Sequence, residues 1–76
     1  MRGYVLVRTQ SGAEKEVVRL VRQTPGVVRA DATFGPYDVI VELEAPDLSA
    51  VGRLVTDQIR TTPGVVDTLT CLVVDA

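Results

Sequence analysis

Thr33-Phe34-Gly35-Pro36-Tyr37-Asp38-Val39-Ile40-Val41-Glu42-Leu43 lies near the middle of the chain, and its reading decides the fold. Gly35-Pro36 separates two strand-like runs, Val27 to Phe34 and Tyr37 to Leu43. Two such residues between alternating runs predict a tight hairpin. Gly supplies a positive φ at the first central position and Pro its fixed negative φ at the second, as a type II′ turn requires. On the first run Val28, Ala30, Ala32 and Phe34 share one face, and Val27, Arg29, Asp31 and Thr33 the other. The small Ala30 and Ala32 would let a helix approach closely. On the second run Tyr37, Val39, Val41 and Leu43 make an apolar face, opposed by Asp38, Ile40, Glu42 and Glu44.

A helix-like stretch and a further strand flank this hairpin on each side. Tyr4-Val5-Leu6-Val7-Arg8 is a nearly continuous apolar run, suited to a central strand covered on both faces. Ser11-Gly12-Ala13-Glu14 has the capping-box form, and Ala13, Val17, Leu20, Val21 and Thr24 then recur at helical spacing. Pro25-Gly26 stops that helix. Downstream, Asp47 is the expected N-cap of a second helix carrying Leu48, Val51, Leu54, Val55 and Ile59. Gly52 inside it costs roughly 1 kcal/mol relative to Ala. Pro63-Gly64 ends this helix, and Val65 to Val74 reads as the last strand.

Thr24-Pro25-Gly26-Val27-Val28 returns 38 positions later as Thr62-Pro63-Gly64-Val65-Val66. Each copy follows a helix and opens a strand. Two strand–helix–strand units joined by a hairpin give an α+β, ferredoxin-like βαββαβ chain. Right-handed crossovers put both helices on one face of a four-stranded antiparallel sheet. The other face would carry Asp38, Ile40 and Glu42, with Leu69, Cys71 and Val73 from the last strand. Its apolar part is large enough to mark a contact surface, so two sheets are expected to pack face to face as a dimeric α/β sandwich.

A chain of 76 residues, with 46% hydrophobic and 24% charged residues, reads as one globular domain, residues 1–76. Its net charge of −2 and scattered cations offer no footprint for direct nucleic-acid binding. Having no histidine removes the commonest general base and metal ligand, so no catalytic residue, metal or cofactor is expected. The lone Cys71 precludes an intrachain disulfide and reads as a small buried hydrophobe. No apolar run reaches membrane-spanning length and no signal peptide precedes the first strand, so a cytoplasmic protein away from membranes is expected.

The pattern Phe34-Gly35-x-Tyr37-Asp38, then Pro46-Asp47-Leu48-Ser49-Ala50, Leu54, and Pro63-Gly64-Val65-x-Asp67-Thr68, resembles the effector-binding (RAM) domain of the Lrp/AsnC regulators. The resemblance runs from Tyr4 to Val74. Members of that family usually carry an N-terminal helix-turn-helix domain; this chain begins at the first effector-domain strand and looks like a stand-alone form without a DNA-binding domain. The resemblance implies homodimers with facing sheets, rings of dimers (commonly octamers), and an amino-acid effector bound where dimers meet. The positions aligning with effector-responsive sites are Asp38, Leu48, Gln58, Arg60, Cys71 and Leu72, joined by the turn residues Gly35, Pro36 and Tyr37. Gln58, Arg60 and Cys71 depart from the small, apolar or aromatic residues of the leucine-responsive members.

For Asp38 two roles stand side by side: pairing with the α-ammonium of an amino acid, or accepting backbone N–H groups around the turn. Arg60 offers a bidentate partner for a ligand carboxylate, which would favour an acidic or polar ligand over leucine. Glu42 and Glu44 sit at strand spacing and suit a solvated or inter-subunit charge role rather than acid–base catalysis. The expected function is an amino-acid-sensing, oligomer-forming regulatory module, acting through its own assembly or by joining a full-length Lrp/AsnC regulator. A purely structural oligomerisation module is the alternative, and a small dimeric ferredoxin-like enzyme a lesser one.

Overall fold

The computed structural model describes residues 1–74. Strand β1 (Arg2–Thr9) leads to helix α1 (Glu14–Arg22), then β2 (Val27–Ala32) and β3 (Val39–Glu44). Helix α2 (Leu48–Arg53) continues as a π-helical segment over Leu54–Ile59 before β4 (Val65–Leu72). The strands form one antiparallel sheet in the order β2-β3-β1-β4, the expected βαββαβ arrangement. The central apolar run thus becomes a central strand, and the strands opened by the two Pro-Gly breaks become the two edges.

Register explains where the core sits. Thr70, Val5, Val41 and Ala30 share one row across the sheet, and Thr68, Val7, Val39 and Ala32 the next. Val5, Val7, Val39, Val41 and Leu43 are fully buried on this face. They pack with Val17, Val18 and Val21 of α1 and with Val51, Leu54, Val55 and Ile59 of the second helical segment. Each such side chain contributes about 1.5–3 kcal/mol by leaving water. Both helices therefore cover a single sheet face.

The two Pro-Gly corners are built alike. Val27 N–H donates to the Thr24 carbonyl at 3.1 Å, and Val65 N–H to the Thr62 carbonyl at 3.1 Å. Gly26 and Gly64 take φ of 97° and 95° at the third position, the value a type II turn reserves for glycine. The threonine hydroxyls reach back to the Leu20 and Gln58 carbonyls at 3.4 and 2.8 Å, closing each helix end.

Several expectations are corrected. The ladder between β2 and β3 stops at the Ala32–Val39 pair, so residues 33–38 form a loop rather than a two-residue hairpin. That loop is still centred on Gly35-Pro36, and the register is the one the tight turn would give. Gly35 takes φ 154°, far from the value of about +60° that a type II′ turn requires. Ser11 does not cap α1: Ala13 occupies the N-cap position with no side-chain bond, because Gly12, at φ 87°, turns the chain just before it. Asp47 does cap α2, accepting the Ala50 N–H at 2.8 Å. On β2 only Ala30 is buried. A register shift between Val27 and Arg29 turns Val27 towards the core and leaves Val28 exposed, while Phe34 lies beyond the strand, fully exposed. Leu48, the first residue of α2, is exposed rather than core, and β4 ends at Leu72 rather than Val74.

The second helix keeps its apolar spacing only part-way. Within the π-helical segment Arg60 N–H donates to the Val55 carbonyl at 2.9 Å, one residue beyond the α-helical partner. Thr61 Oγ1 donates to the Asp57 carbonyl at 2.7 Å. Gly52 has open space where a side chain would be, so no packing requires glycine there. On α1 the exposed Arg19 hydrogen-bonds Glu16, which lowers the Glu16 carboxyl below its usual range and raises the Arg19 guanidinium above its own.

Candidate functional site

The loop between β2 and β3 is clasped at its base. Thr33 N–H donates to the Asp38 carbonyl at 2.9 Å, and Thr33 Oγ1 to the Tyr37 carbonyl at 2.9 Å. Asp38 N–H donates to the Val7 carbonyl at 2.9 Å, while Asp38 Oδ2 accepts the Thr9 N–H at 2.8 Å. Asp38 thus ties the loop to the end of β1, where the β1–β3 ladder has already ended at the Val7–Val39 pair and leaves that N–H without a strand partner. The backbone-acceptor role holds in altered form: the donor comes from β1, not from the turn. Asp38 Oδ1 has no hydrogen-bond partner among the described residues. The adjacent Thr9 hydroxyl is buried and unpartnered.

Leaving the ladder also changes which way the loop residues face. Asp38 was expected on the open sheet face and Tyr37 on the core face. Instead, Asp38 lines a hollow of about 400 Å³ with Glu14 and Lys15 of α1 and with Ala32, Thr33, Phe34 and Gly35. Tyr37 lines a second hollow, of about 430 Å³, with Leu6 and Ile40 of the open face. The Arg8 guanidinium carbon lies 5.3 Å from the centroid of the Tyr37 ring, a cation–π contact. Outside a strand nothing enforces alternation, so the period-two argument fails at these two residues.

The open face itself obeys the register. Leu69, Leu6, Ile40 and Asp31 make one row from β4 to β2, and Cys71, Tyr4, Glu42 and Arg29 the next. Ile40, Glu42, Leu69 and Cys71 lie where the sequence places them; Val73 falls past the end of β4. Charged residues sit at the margins, with Arg8 opposite Asp67 and Arg2 opposite Glu44. Leu69 is half exposed, at 50%, and Tyr4 and Ile40 at 37% each. A central strand with such a face is fully covered only when another surface meets it.

The remaining candidates are dispersed. Leu48 begins α2, beyond the far end of β3 from Asp38, and six strand residues at about 3.3 Å each put the two roughly 20 Å apart. Gln58 lines a separate hollow with Pro25, Arg53, Leu54 and Asp57. Arg60 comes directly after the π-helical segment; neither it nor Leu48 lines the two hairpin hollows. Cys71, expected to be a buried hydrophobe, is instead exposed beside Tyr4 on the open face, which the helices leave uncovered, whereas Leu72 lies at the sheet edge on the helix side, opposite Gly3. One copy of the chain cannot gather these residues into one site. Glu14, Lys15, Leu6 and Thr9 were not foreseen near the loop, because nothing local in sequence links the start of α1 or the end of β1 to the hairpin.

Comparison with known proteins identifies the domain. An uncharacterized HTH-type transcriptional regulator of Pyrococcus furiosus is 31% identical over 70 residues, which are 88% of this chain and 47% of that protein. This chain spans about half the length of the curated relatives it matches. The crystal structure of FFRP-DM1 has a TM-score of 0.91 at 30% identity, covering 96% of this chain and 97% of that one. A transcriptional regulator from Neisseria meningitidis, solved as an L-Met complex, has a TM-score of 0.87 over 97% of this chain and 49% of that one; at 22% identity the likeness is one of fold. No helix among the described residues is long and apolar enough to cross a membrane. The sequence profile of the Lrp/AsnC ligand binding domain matches residues 2–76. The chain belongs to the Lrp/AsnC ligand-binding domain family, and the curated relatives it matches are HTH-type transcriptional regulators.

Proposed function

We propose that this domain senses a small amino acid and couples its binding to assembly, or to a full-length Lrp/AsnC partner regulator. The effector sits at the Gly35-Pro36-Tyr37-Asp38 hairpin where dimers meet, with Leu48, Gln58, Arg60, Cys71 and Leu72 contributed by neighbouring copies. The carrying observation is Asp38: one carboxylate oxygen is held by Thr9 N–H, and the residue lines a hollow large enough for a small amino acid. A carboxylate fixed by its own fold is a preorganised partner for an α-ammonium. The L-Met complex of the Neisseria meningitidis regulator, which shares this fold, supports an amino acid as ligand class. The scattering of the other candidates over one chain supports a site completed between chains, and the apolar Leu69–Leu6–Ile40 row supports dimers with facing sheets.

The test is Asp38→Asn, which keeps an acceptor for Thr9 N–H and removes the charge. Titration calorimetry against the amino acid that most raises the melting temperature of the wild type is expected to show affinity falling about 10- to 100-fold, with the fold retained. Unchanged affinity would move the site elsewhere, and an unfolded variant would make Asp38 a structural clasp. A purely structural oligomerisation module is the second reading, favoured by the open-face apolar row, which is independent of the hairpin.

A further inference from the structure

The hollow beside Asp38 carries a particular set of charges. Glu14 and Lys15, from the first turn of α1, line it together with Asp38. Neither Glu14 nor Lys15 enters an ion pair among the described residues. Phe34 forms part of the wall, and no other described residue covers it. The lining thus offers two carboxylates, one ammonium and an apolar wall, for a net charge of −1.

From this we infer that the effector is a basic, diamino-type amino acid such as lysine or ornithine. The inference rests on the proposed amino-acid site at the hairpin and names its ligand class. Each charge of such a ligand meets an opposite one: α-ammonium to Asp38, α-carboxylate to Lys15, side-chain ammonium to Glu14. The aliphatic stem lies along Phe34. The ligand's net charge of +1 balances that of the lining this chain itself supplies. A neutral ligand leaves Glu14 unanswered, and an acidic one adds a second negative charge beside two carboxylates. Within one chain Lys15 lines this hollow and Arg60 does not, so the ligand carboxylate is assigned to Lys15, and Arg60 to the part of the site that a neighbouring copy supplies.

Titration calorimetry on the intact protein tests this with L-lysine, L-ornithine, L-norleucine, L-methionine and L-glutamate. Norleucine matches the lysine chain without its terminal ammonium. Lysine or ornithine is expected to bind at least about tenfold tighter than norleucine, a typical return for one charge-assisted contact. Glu14→Gln is expected to erase that preference by weakening lysine and ornithine binding to the level of norleucine. Norleucine, methionine or glutamate binding as tightly as lysine, with the binding lost in Asp38→Asn, would overturn the ligand class but keep the hairpin site. A lysine preference that survives Glu14→Gln would overturn the role of Glu14. Binding of none of the five would overturn both the class and the site.

Discussion

The two copies of Thr-Pro-Gly-Val-Val make the same corner and open two unlike edges. Both glycines sit near φ 95°, and both valine N–H groups close the turn at the same length. The strands they open differ. The strand after the first copy, β2, is tied down: Arg22 Nε donates to the Ala30 carbonyl at 2.9 Å, and Arg22 Nη2 lies 3.5 Å from Asp31 Oδ1. The strand after the second copy, β4, receives no such helix side chain among the described residues, and it exposes Leu69 and Cys71. Asp31 and Leu69 occupy equivalent places in the repeat and stand at opposite ends of the same sheet row. A short local motif fixes the bend, while the side chain at the row's end sets whether that end of the open face is charged or apolar. A charged, tethered edge resists strand pairing, and an apolar one invites contact.

The largest expected effect comes from reversing that choice on β4. Leu69→Glu is expected to weaken self-association at least about 100-fold, on the order of 3 kcal/mol, by placing an unpaired charge in the proposed facing-sheet contact. Sedimentation over a concentration series reads this directly. The equivalent change on the other edge, Asp31→Leu, is expected to leave association intact or strengthen it. If both variants dissociate, or neither does, the two edges are not functionally distinct.

The corners offer a middle-sized contrast. A Cβ on Gly64 would lie 2.9 Å from the Ala13 Cβ and 3.1 Å from Val17 Cγ2, whereas one on Gly26 would meet the movable Leu54 Cδ2 at 3.0 Å. Both variants bear the positive-φ penalty, but only Gly64→Ala must also displace a short side chain fixed to the backbone. Chemical denaturation at matched protein concentration is expected to show losses of about 2–4 kcal/mol for Gly64→Ala and about 1–2 for Gly26→Ala. Equal losses would mean that packing adds nothing to the backbone term.

The smallest effect concerns the tether. Arg22→Ala is expected to cost about 0.5–1 kcal/mol, since the side chain is largely exposed. Amide exchange should quicken in β2 and stay unchanged in β4. Protection lost equally from both strands would show that Arg22 supports the sheet as a whole rather than one edge.

How far the sequence could be read depends on whether a residue lies inside the ladder. Alternation correctly places Val39, Val41, Leu43, Ile40 and Glu42, because pleating enforces it. It misplaces Tyr37 and Asp38, which lie past the last pair, and Val28, which sits at a register shift. Asp47 is found as a cap because its side chain bonds within its own turn, whereas the apparent cap at Ser11 is undone by the turn at Gly12. The hairpin was legible as a candidate site through its motif and its resemblance to the RAM pattern. Glu14 and Lys15 were not, because only the packing of α1 against the loop brings them there. Leu48, Gln58, Arg60 and Cys71 rest on the resemblance alone, and within one chain none of them lines the hairpin hollows.

The clasped loop from Thr33 to Asp38 lies beyond the last ladder pair and outside the buried core, and this separates inheritance of fold from inheritance of preference. Side chains at residues 34 to 36 take no part in the sheet ladder, and none belongs to the buried core. Substitutions there change the walls of both hollows at little expense to folding. Descendants of this domain can therefore drift in what they recognise, and copies made by gene duplication can acquire new effectors, while the βαββαβ scaffold is handed down unaltered.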